Sequence, residues 1–253
     1  MDAISFKLSG KTACFRKPDV NAYSYFTYNN IHKPALLGLL GAIIGLGGYN
    51  QLFEKNRDLK KGSLEYDEGF PEFYQELKNL KISIIPLAKN GYFSKKIQVF
   101  NNSVGYASFE EGGNLIVREQ WLENPAWQII ILDDGTKVYQ KIKEYLQKGK
   151  AVYIPYLGKN DHFANINDVN PIKLEKVIDS INISSLFNEK LLEISKIPPR
   201  GELSFYFKEI SPIKLQKEYH FYEYVPLIFT NHRINDGDFS SVFSFDGRNY
   251  AFI

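Results

Sequence analysis

The stretch of sequence that decides the fold is FRKPDVNAYSYFTYNNIHKPALLGLLGAIIGLGGY, residues 15–49. Its first half is basic and aromatic, and its second half is an apolar segment that begins at Pro34 and ends in a glycine run. Proline is favoured at the first position of a helix, because its missing N–H has no helical partner there. Glycine is favoured where a helix ends. The stretch therefore predicts a buried helix over residues 34–46, preceded by a long polar loop.

The N-terminal part of the chain is positively charged. Residues 3–53 carry five bases and one acid, a net charge of +4, whereas the whole chain carries only +2. Cations that meet phosphates and rings that stack on bases are what binding of a single-stranded nucleic acid requires. The nearly neutral total argues against a general polyanion binder and permits other faces to contact proteins.

Composition and length limit the classes of protein that remain. The 253 residues, 44% of them hydrophobic, are enough for one large domain or two small ones. The single cysteine, Cys14, excludes an intramolecular disulfide and a cysteine zinc site, and it is typical of a reducing, cytoplasmic location. We predict no signal peptide, and we expect no membrane contact, because the apolar segment is shorter than the roughly 20 residues of a spanning helix. We expect no cofactor, since the acidic turns at 133–134 and 236–238 lack the ligands of a calcium loop.

The hydrophobic pattern predicts the order strand, helix, strand, hairpin, strand, helix, strand. The strands are expected at residues 3–8, 81–87, 127–132 and 151–157, and the second helix at 136–148. The hairpin is expected at about 94–121, with Glu110-Glu111-Gly112-Gly113 as its turn. Without the hairpin, the order is that of a β-α-β-β-α-β ferredoxin-like unit, an α+β fold. We predict that this domain spans 1–162, and that 163–253 form a small β-rich region with strands near 202–207, 218–225 and 227–231.

Several segments together resemble a known family. They are Phe15-Arg16-Lys17-Pro18, Thr27-Tyr28, the helix motif Pro34-Ala35-Leu36-Leu37-Gly38-Leu39-Leu40-Gly41 and the run Gly45-Leu46-Gly47-Gly48. Two later segments, residues 118–122 and 156–160, add to the likeness. The sequence resembles the handle-binding subunit of the CRISPR surveillance complex Cascade, the fifth numbered Cas family, in a type I-B-like form. The resemblance covers roughly residues 1–165.

This resemblance implies a fold and a set of partners. The fold is a RAMP domain, which is ferredoxin-like and related to RNA-recognition (RRM) domains, with a projecting "thumb" hairpin. The expected function is antiviral defence, in which the subunit binds and caps the 5′ handle of the guide RNA within a ribonucleoprotein. The implied protein partners are the neighbouring backbone subunit and the large subunit, and target DNA is met only through the complex.

The loop between Lys11 and Lys33 is the best candidate for the RNA site. Arg16 has the planar fork that grips a phosphate through two bonds, and lysines supply point charges. Tyrosine and histidine rings stack on unpaired bases. The glycine run after the helix permits a close backbone approach, and two lysines lie at the root of the hairpin. The RNA-binding residues predicted in these three segments are Arg16, Lys17, Tyr23, Tyr25, Tyr28, His32, Lys33, Gly47, Gly48, Lys95 and Lys96.

A second polar cluster, Lys159, Asn160 and His162, follows the last predicted strand of the domain. These residues are candidates for contacts with handle bases. They also raise an alternative, because metal-independent cleavage of RNA needs a general base, a general acid and a cation. We therefore expect a non-catalytic RNA-binding subunit and keep a metal-independent endoribonuclease for CRISPR repeat RNA as the alternative. A protein-interaction module with an incidental basic loop is the third interpretation.

Overall fold

The computed structural model describes residues 1–19, 23–59, 61, 63–64, 67–101, 105, 109–111, 113, 115–178, 182–199, 201 and 203–253. Within these residues the chain forms a mixed α and β fold that is rich in antiparallel strands. The helices are α1 (Lys33–Ile44), α2 (Tyr49–Asn56), α3 (Glu72–Leu77) and α4 (Lys137–Gln147). The strands up to residue 173 are β1 (Asp2–Ser9), β2 (Thr12–Ala13), β3 (Ile82–Pro86), β4 (Lys95–Asn101), β5 (Ile116–Glu123), β6 (Ala126–Leu132) and β7 (Asn165–Lys173). The later strands are β8 (Glu175–Lys176), β9 (Phe187–Asn188), β10 (Leu192–Ile194), β11 (Tyr206–Leu215), β12 (Tyr222–Thr230), β13 (Ile234–Gly237), β14 (Val242–Phe245) and β15 (Arg248–Ala251).

A four-stranded sheet forms the centre of the molecule, with its strands in the order β3-β6-β1-β7. Each neighbouring pair is antiparallel. Helix α1 lies between β1 and β3 in the chain, and α4 lies between β6 and β7. Strand β1 is central and alternates as its sequence predicts, with Ile4, Phe6 and Leu8 fully buried on one face.

Both faces of this sheet are covered. Helix α1 packs its leucines and isoleucines into the same core as Phe6, and α4 adds Tyr139 and Ile142. On the other face, Ala3 and Ile130 pack against Phe252 from the end of the chain. Helix α1 also packs against α3, α4 and β11, which explains why it is apolar almost all round instead of carrying a single apolar stripe.

The predicted hairpin consists of β4 and β5, which pair in antiparallel register from Lys95↔Leu122 to Asn101↔Ile116. Strand β2 pairs with the other edge of β5, so the three form a second small sheet. The predicted turn included Gly112, which lies outside the described residues, as do 102–104, 106–108 and 114 of the same hairpin.

The C-terminal part of the chain is attached to the N-terminal part at several points. The long β11–β12 hairpin packs near α1, and the Leu215 N–H donates to the Tyr74 hydroxyl at 2.6 Å. The Glu209 carboxylate on β11 accepts from the backbone N–H groups of Asn29 and Asn30 at 2.8–3.3 Å. This carboxylate therefore fixes the end of the polar loop just before α1.

The structure corrects two details of the sequence analysis. The predicted strand at 151–157 is wrong, because this segment contains only an isolated bridge between Tyr156 and Phe163. The fourth strand of the sheet is β7 instead, which follows residue 162 and pairs with β1. The division of the chain at residue 162 itself stays a prediction. Strand β12 also continues through Pro226, where two strands were expected.

Candidate nucleic-acid interface

The polar loop lies along strand β5 of the hairpin. The Tyr25 N–H donates to the Arg118 carbonyl at 2.9 Å, and the Gln120 N–H donates to the Tyr25 carbonyl at 2.8 Å. Within the loop, Arg16 bridges to Thr27 in antiparallel fashion. These backbone bonds bring residues that are about 100 positions apart in the sequence onto one surface.

Two guanidinium groups stack on tyrosine rings on this surface. The Arg16 guanidinium carbon lies 3.3 Å from the centre of the Tyr25 ring, and that of Arg118 lies 4.5 Å from the centre of the Tyr23 ring. Tyr23 is 73% exposed. Among the described residues, no carboxylate lies within ion-pair distance of either arginine. Each stack thus leaves a cation beside an aromatic face, the combination that grips phosphate and base together.

Two lysines extend this surface toward the root of the hairpin. The Lys17 Nζ lies 5.2 Å from the Tyr28 ring centre, and the Lys95 Nζ lies 5.0 Å from that of Tyr92. Burial lowers the pKa of Lys95, and the nearby positive charge of Lys17 lowers it further against the attraction of Glu209. We call Arg16, Lys17, Tyr23, Tyr25, Lys95 and Arg118 the basic-aromatic face.

Arg118 belongs to this face although the sequence analysis did not select it as a binding residue. The sequence feature that points to Arg118 is the alternation of side chains along β5. Glu119 is buried, so the side chain of its neighbour Arg118 lies on the opposite face of the strand. The pairing of β5 with the loop, however, depends on backbone contacts across the fold. Lys96 follows Lys95 in the strand, but it is not part of the basic-aromatic face. Its Nζ lies 3.9 Å from a carboxylate oxygen of Glu123 and 5.9 Å from the centre of the Trp121 ring.

Three of the predicted RNA contacts are taken into the core. Tyr28 and His32 are each 3% exposed, and their rings pack edge to face at 5.3 Å. The His32 Nδ1 accepts from the Ala35 N–H and so caps helix α1, and burial lowers the pKa of His32 to about 3. The Lys33 Nζ donates to the Ile253 backbone oxygen at 3.0 Å, and burial, with Lys81 nearby, lowers its pKa to about 8. A buried ring presents no face for stacking, so we leave these residues out of the interface.

The second polar cluster is also largely internal. The Lys159 Nζ forms an ion pair with both carboxylate oxygens of Glu119, at 2.8 and 2.9 Å. Burial alone would raise the pKa of Glu119, but hydrogen bonds from Lys159 and the Trp121 indole hold it below its usual range.

His162 is 1% exposed, and its Nδ1 lies 2.7 Å from the Thr12 hydroxyl. Burial lowers the pKa of His162. Asn160 alone of the predicted cluster is exposed.

The glycine run has its amides occupied within the chain. The Gly47 N–H donates to the Glu72 carboxylate at 2.7 Å, and the Gly48 N–H donates to the Gln51 side chain at 2.9 Å. Gly48 is the N-cap of α2, a helix that the sequence analysis missed. An RNA phosphate would have to replace these side chains in order to reach either amide.

The remaining histidines lie apart from the basic-aromatic face. His220 stacks on Phe70 with ring centres 4.6 Å apart, and the His232 Nδ1 lies 2.9 Å from the Ser195 carbonyl oxygen. The described ranges contain no group of three or more His, Cys, Asp or Glu side chains placed to hold a metal ion.

No single helix among the described residues is long and apolar enough to cross a membrane. Helices α1 and α2 reach that length and composition only as a pair, and the pair is bent by 73°.

No known family model matches the sequence, and no curated protein sequence matches it. Chains of solved structures that are similar in fold include the following two. One is a chain of a CRISPR RNA-guided surveillance complex, with a TM-score of 0.52 and 9% identity over 92% of this chain and 91% of that chain. The other is a CRISPR protein from Archaeoglobus fulgidus, with a TM-score of 0.51 and 13% identity over 99% of this chain and 98% of that chain. The likeness at these identities is one of fold.

Proposed function

We propose that the protein is a non-catalytic, RNA-binding subunit of a type I CRISPR surveillance complex that holds the 5′ handle of the guide RNA. The observation that carries the proposal is the basic-aromatic face, where Arg16 stacks on Tyr25 and Arg118 stacks on Tyr23. The similarity of fold to a chain of a CRISPR RNA-guided surveillance complex supports the biological setting.

The arrangement of the central sheet supports a ferredoxin-like RAMP domain. The strand order β3-β6-β1-β7, with α1 between β1 and β3 and α4 between β6 and β7, corresponds to a β-α-β-β-α-β unit. The β4–β5 hairpin is inserted between the second and third strands of this unit. We propose that this hairpin is the thumb of the domain.

The chemistry of the face suits a single strand better than a duplex. Tyr23, which is 73% exposed, offers a flat surface to an unpaired base, and each stacked guanidinium can donate to the adjoining phosphate. A tyrosine ring stacks on any of the four bases, so specificity for the handle sequence has to come from other contacts.

The positions of the histidines favour binding over cleavage. A general base must come within about 3 Å of the 2′-hydroxyl that it deprotonates. His32 and His162 are almost fully buried, and Lys159 is held by Glu119. The endoribonuclease alternative would therefore require the cluster around His162 to open.

The proposed protein partners are the backbone subunit, contacted through the hairpin, and the large subunit of the complex. Target DNA is then met only through the assembled complex, in the cytoplasm. The nearly neutral charge outside residues 3–53 is compatible with protein contacts on the other faces.

The test is to mix the purified protein with CRISPR repeat RNA at neutral pH in EDTA, and to measure retention and cleavage together. We expect binding without cleavage. The double variant Arg16→Ala/Arg118→Ala should bind weakly, whereas the matched control Lys141→Ala/Lys148→Ala, on helix α4, should bind normally.

Cleavage of the repeat in EDTA would support the endoribonuclease instead. Failure of the unaltered protein to bind repeat RNA, alone and with the proposed partner subunits, would overturn the proposal.

A further inference from the structure

A groove opens beside the basic-aromatic face and shares Arg16 with it. Its volume is about 710 Å³, and it runs over the exposed side of helix α1 as far as Gly48 and Gln51. Pockets that hold small ligands commonly measure roughly 300–1,000 Å³. The groove is thus large enough for one nucleotide.

The floor of the groove is open because α1 places small residues there. Ala35, Gly38 and Ala42 recur at three- and four-residue spacing, which sets them on one side of the helix. A Cβ added at Gly38 would meet only Phe73 Cε2, at 3.8 Å. Larger side chains along this line would fill the space that the small ones leave.

Tyrosine rings form the walls. Tyr49, Tyr153 and Tyr156 line the groove and are 47%, 50% and 46% exposed. The segment that carries Tyr153 is fixed to the end of α1, because the N–H groups of Val152 and Tyr153 donate to the carbonyls of Ile43 and Ala42 at 2.9 and 3.1 Å. The backbone that carries Tyr153 is therefore held against α1 by the fold itself.

The charge of the lining selects the kind of occupant. Arg16 is the one charged side chain among the described residues that line the groove, since no aspartate or glutamate takes part and His32 is neutral at physiological pH. A planar, apolar-faced group joined to an anion complements this combination of tyrosine walls and one cation.

We propose that the groove over α1 takes a single unstacked base of the bound RNA, with the adjoining phosphate on Arg16. The strand would then pass from the basic-aromatic face into the groove at Arg16, and one nucleotide would be held by enclosure instead of by stacking on an open surface. This inference rests on the proposed function, and it assigns the residues of α1 and of the segment 153–156 to one position of the RNA.

The experiment combines RNA lacking single bases with a variant that fills the groove. The probe is the unpaired RNA segment of the repeat, with an abasic site placed at each position in turn. Base stacking on aromatic side chains corresponds to about a 5- to 150-fold change in affinity per base. We expect one abasic position to weaken binding to the unaltered protein by a factor in this range.

Ala42→Leu fills the groove from its floor and should weaken binding of intact RNA by a similar factor. The RNA that is abasic at this position should bind Ala42→Leu and the unaltered protein equally well, because it has no base that could enter the groove in either protein. Tyr156→Leu should act in the same direction, while the control Tyr206→Leu, at a residue of similar exposure outside the groove, should change nothing. If Ala42→Leu melts at a lower temperature, Tyr156→Leu carries the test alone.

The outcomes separate the two proposals. If RNA binds and the groove variants leave every abasic effect unchanged, the groove inference is overturned and the proposed function stands. If the variants instead weaken association with a partner protein only, the occupant is a protein side chain, which also overturns the inference. Absence of RNA binding by the unaltered protein overturns both.

Discussion

His32 is a buried, neutral imidazole that caps helix α1, and its burial makes the stability of the protein depend on pH. Its pKa is lowered from 6.5 to about 3 by removal from water. The unfolded chain binds a proton at His32 between these pH values, whereas the folded protein does not. The contribution of His32 to stability is therefore complete above pH 6.5 and is lost as the pH falls toward 3.

We predict that the free energy of unfolding falls by about 1.4 kcal/mol for each pH unit below 6.5 because of this one proton. His32→Asn keeps a cap acceptor but removes the titrating group, so its unfolding free energy should fall less steeply by that amount. Denaturant titrations of both proteins from pH 4.5 to 7.5 measure the difference. Equal slopes would show that His32 is protonated in the folded state.

Glycines at neighbouring turns of α1 differ in what a side chain would meet. A Cβ at Gly41 would lie 2.6 Å from the Phe73 Cβ, whereas one at Gly38 has its nearest neighbour at 3.8 Å. We predict that Gly41→Leu destabilises the fold by about 1–3 kcal/mol or more, because it overpacks the contact between α1 and α3.

The matched control is Gly38→Ala, which should be neutral or stabilising by up to about 1 kcal/mol, since alanine favours a helix interior over glycine. Thermal melting of both variants is the measurement. A Gly41→Leu protein that melts like the unaltered one would mean that α3 does not press on α1 in solution.

At the scale of elements, a half-buried ion pair adds to the backbone bonds that join the hairpin to the body. Glu119 on β5 has a side chain 5% exposed, and Lys159, from the segment after α4, lies within 2.9 Å of both its oxygens. Removing the lysine charge would leave a carboxylate inside the protein without its cation, which costs more than the pair itself contributes.

We predict that Lys159→Met destabilises the protein by about 1–3 kcal/mol, the usual range for a hydrogen bond to a buried charge. Lys148→Met breaks the exposed pair with Glu144 on α4 and should leave the free energy of unfolding nearly unchanged, because solvent screens this pair. Chemical denaturation compares the two. Similar small effects would indicate that Glu119 is hydrated or protonated after the substitution.

The same hairpin is the proposed assembly element. Strand β2 pairs with β5 only at Leu122 and Glu123, and the polar loop bonds to Arg118 and Gln120, so near Ile116 the described part of the hairpin consists of β4 and β5 alone. Two strands without further support are marginal in water, so this part gains from packing on a partner. We predict that replacing residues 98–112 with a Gly-Ser bridge leaves the monomer folded and able to bind some RNA, but unable to join the backbone subunits. Co-purification with those subunits is the measurement, and normal assembly of the shortened protein would refute the idea.

At the scale of the whole molecule, local sequence patterns predicted most elements of the central sheet, whereas tertiary packing determined which segment became its fourth strand. Strands β1, β3 and β6 and helices α1 and α4 appear within one or two residues of their expected positions, because each has a clear apolar period. The fourth strand was expected at 151–157, an apolar run. The structure uses this run to cap α1 and to line the groove, and it takes β7, a more polar segment, as the outer strand.

The candidate site, too, was predictable only in the part that depends on local sequence. The sequence selected the loop that supplies most of the basic-aromatic face, because basic and aromatic residues are concentrated there. It could not show which rings turn inward, since that depends on contacts with Tyr222 and Glu209 nearly 200 residues away. Nor could it bring Arg118 to the loop, because strand pairing at that distance in the sequence leaves no local pattern.

The central claim is that the basic-aromatic face binds single-stranded RNA through its phosphates, and the salt dependence of that binding tests it most directly. The affinity for repeat RNA should fall linearly with salt on a log–log scale, with about −0.7 in slope for each phosphate contact. Arg16→Ala/Arg118→Ala should reduce the steepness by about 1.4, because two contacts are lost. Lys141→Ala/Lys148→Ala should leave the slope unchanged. An affinity independent of salt, or a slope that the arginine variant does not alter, would contradict the account.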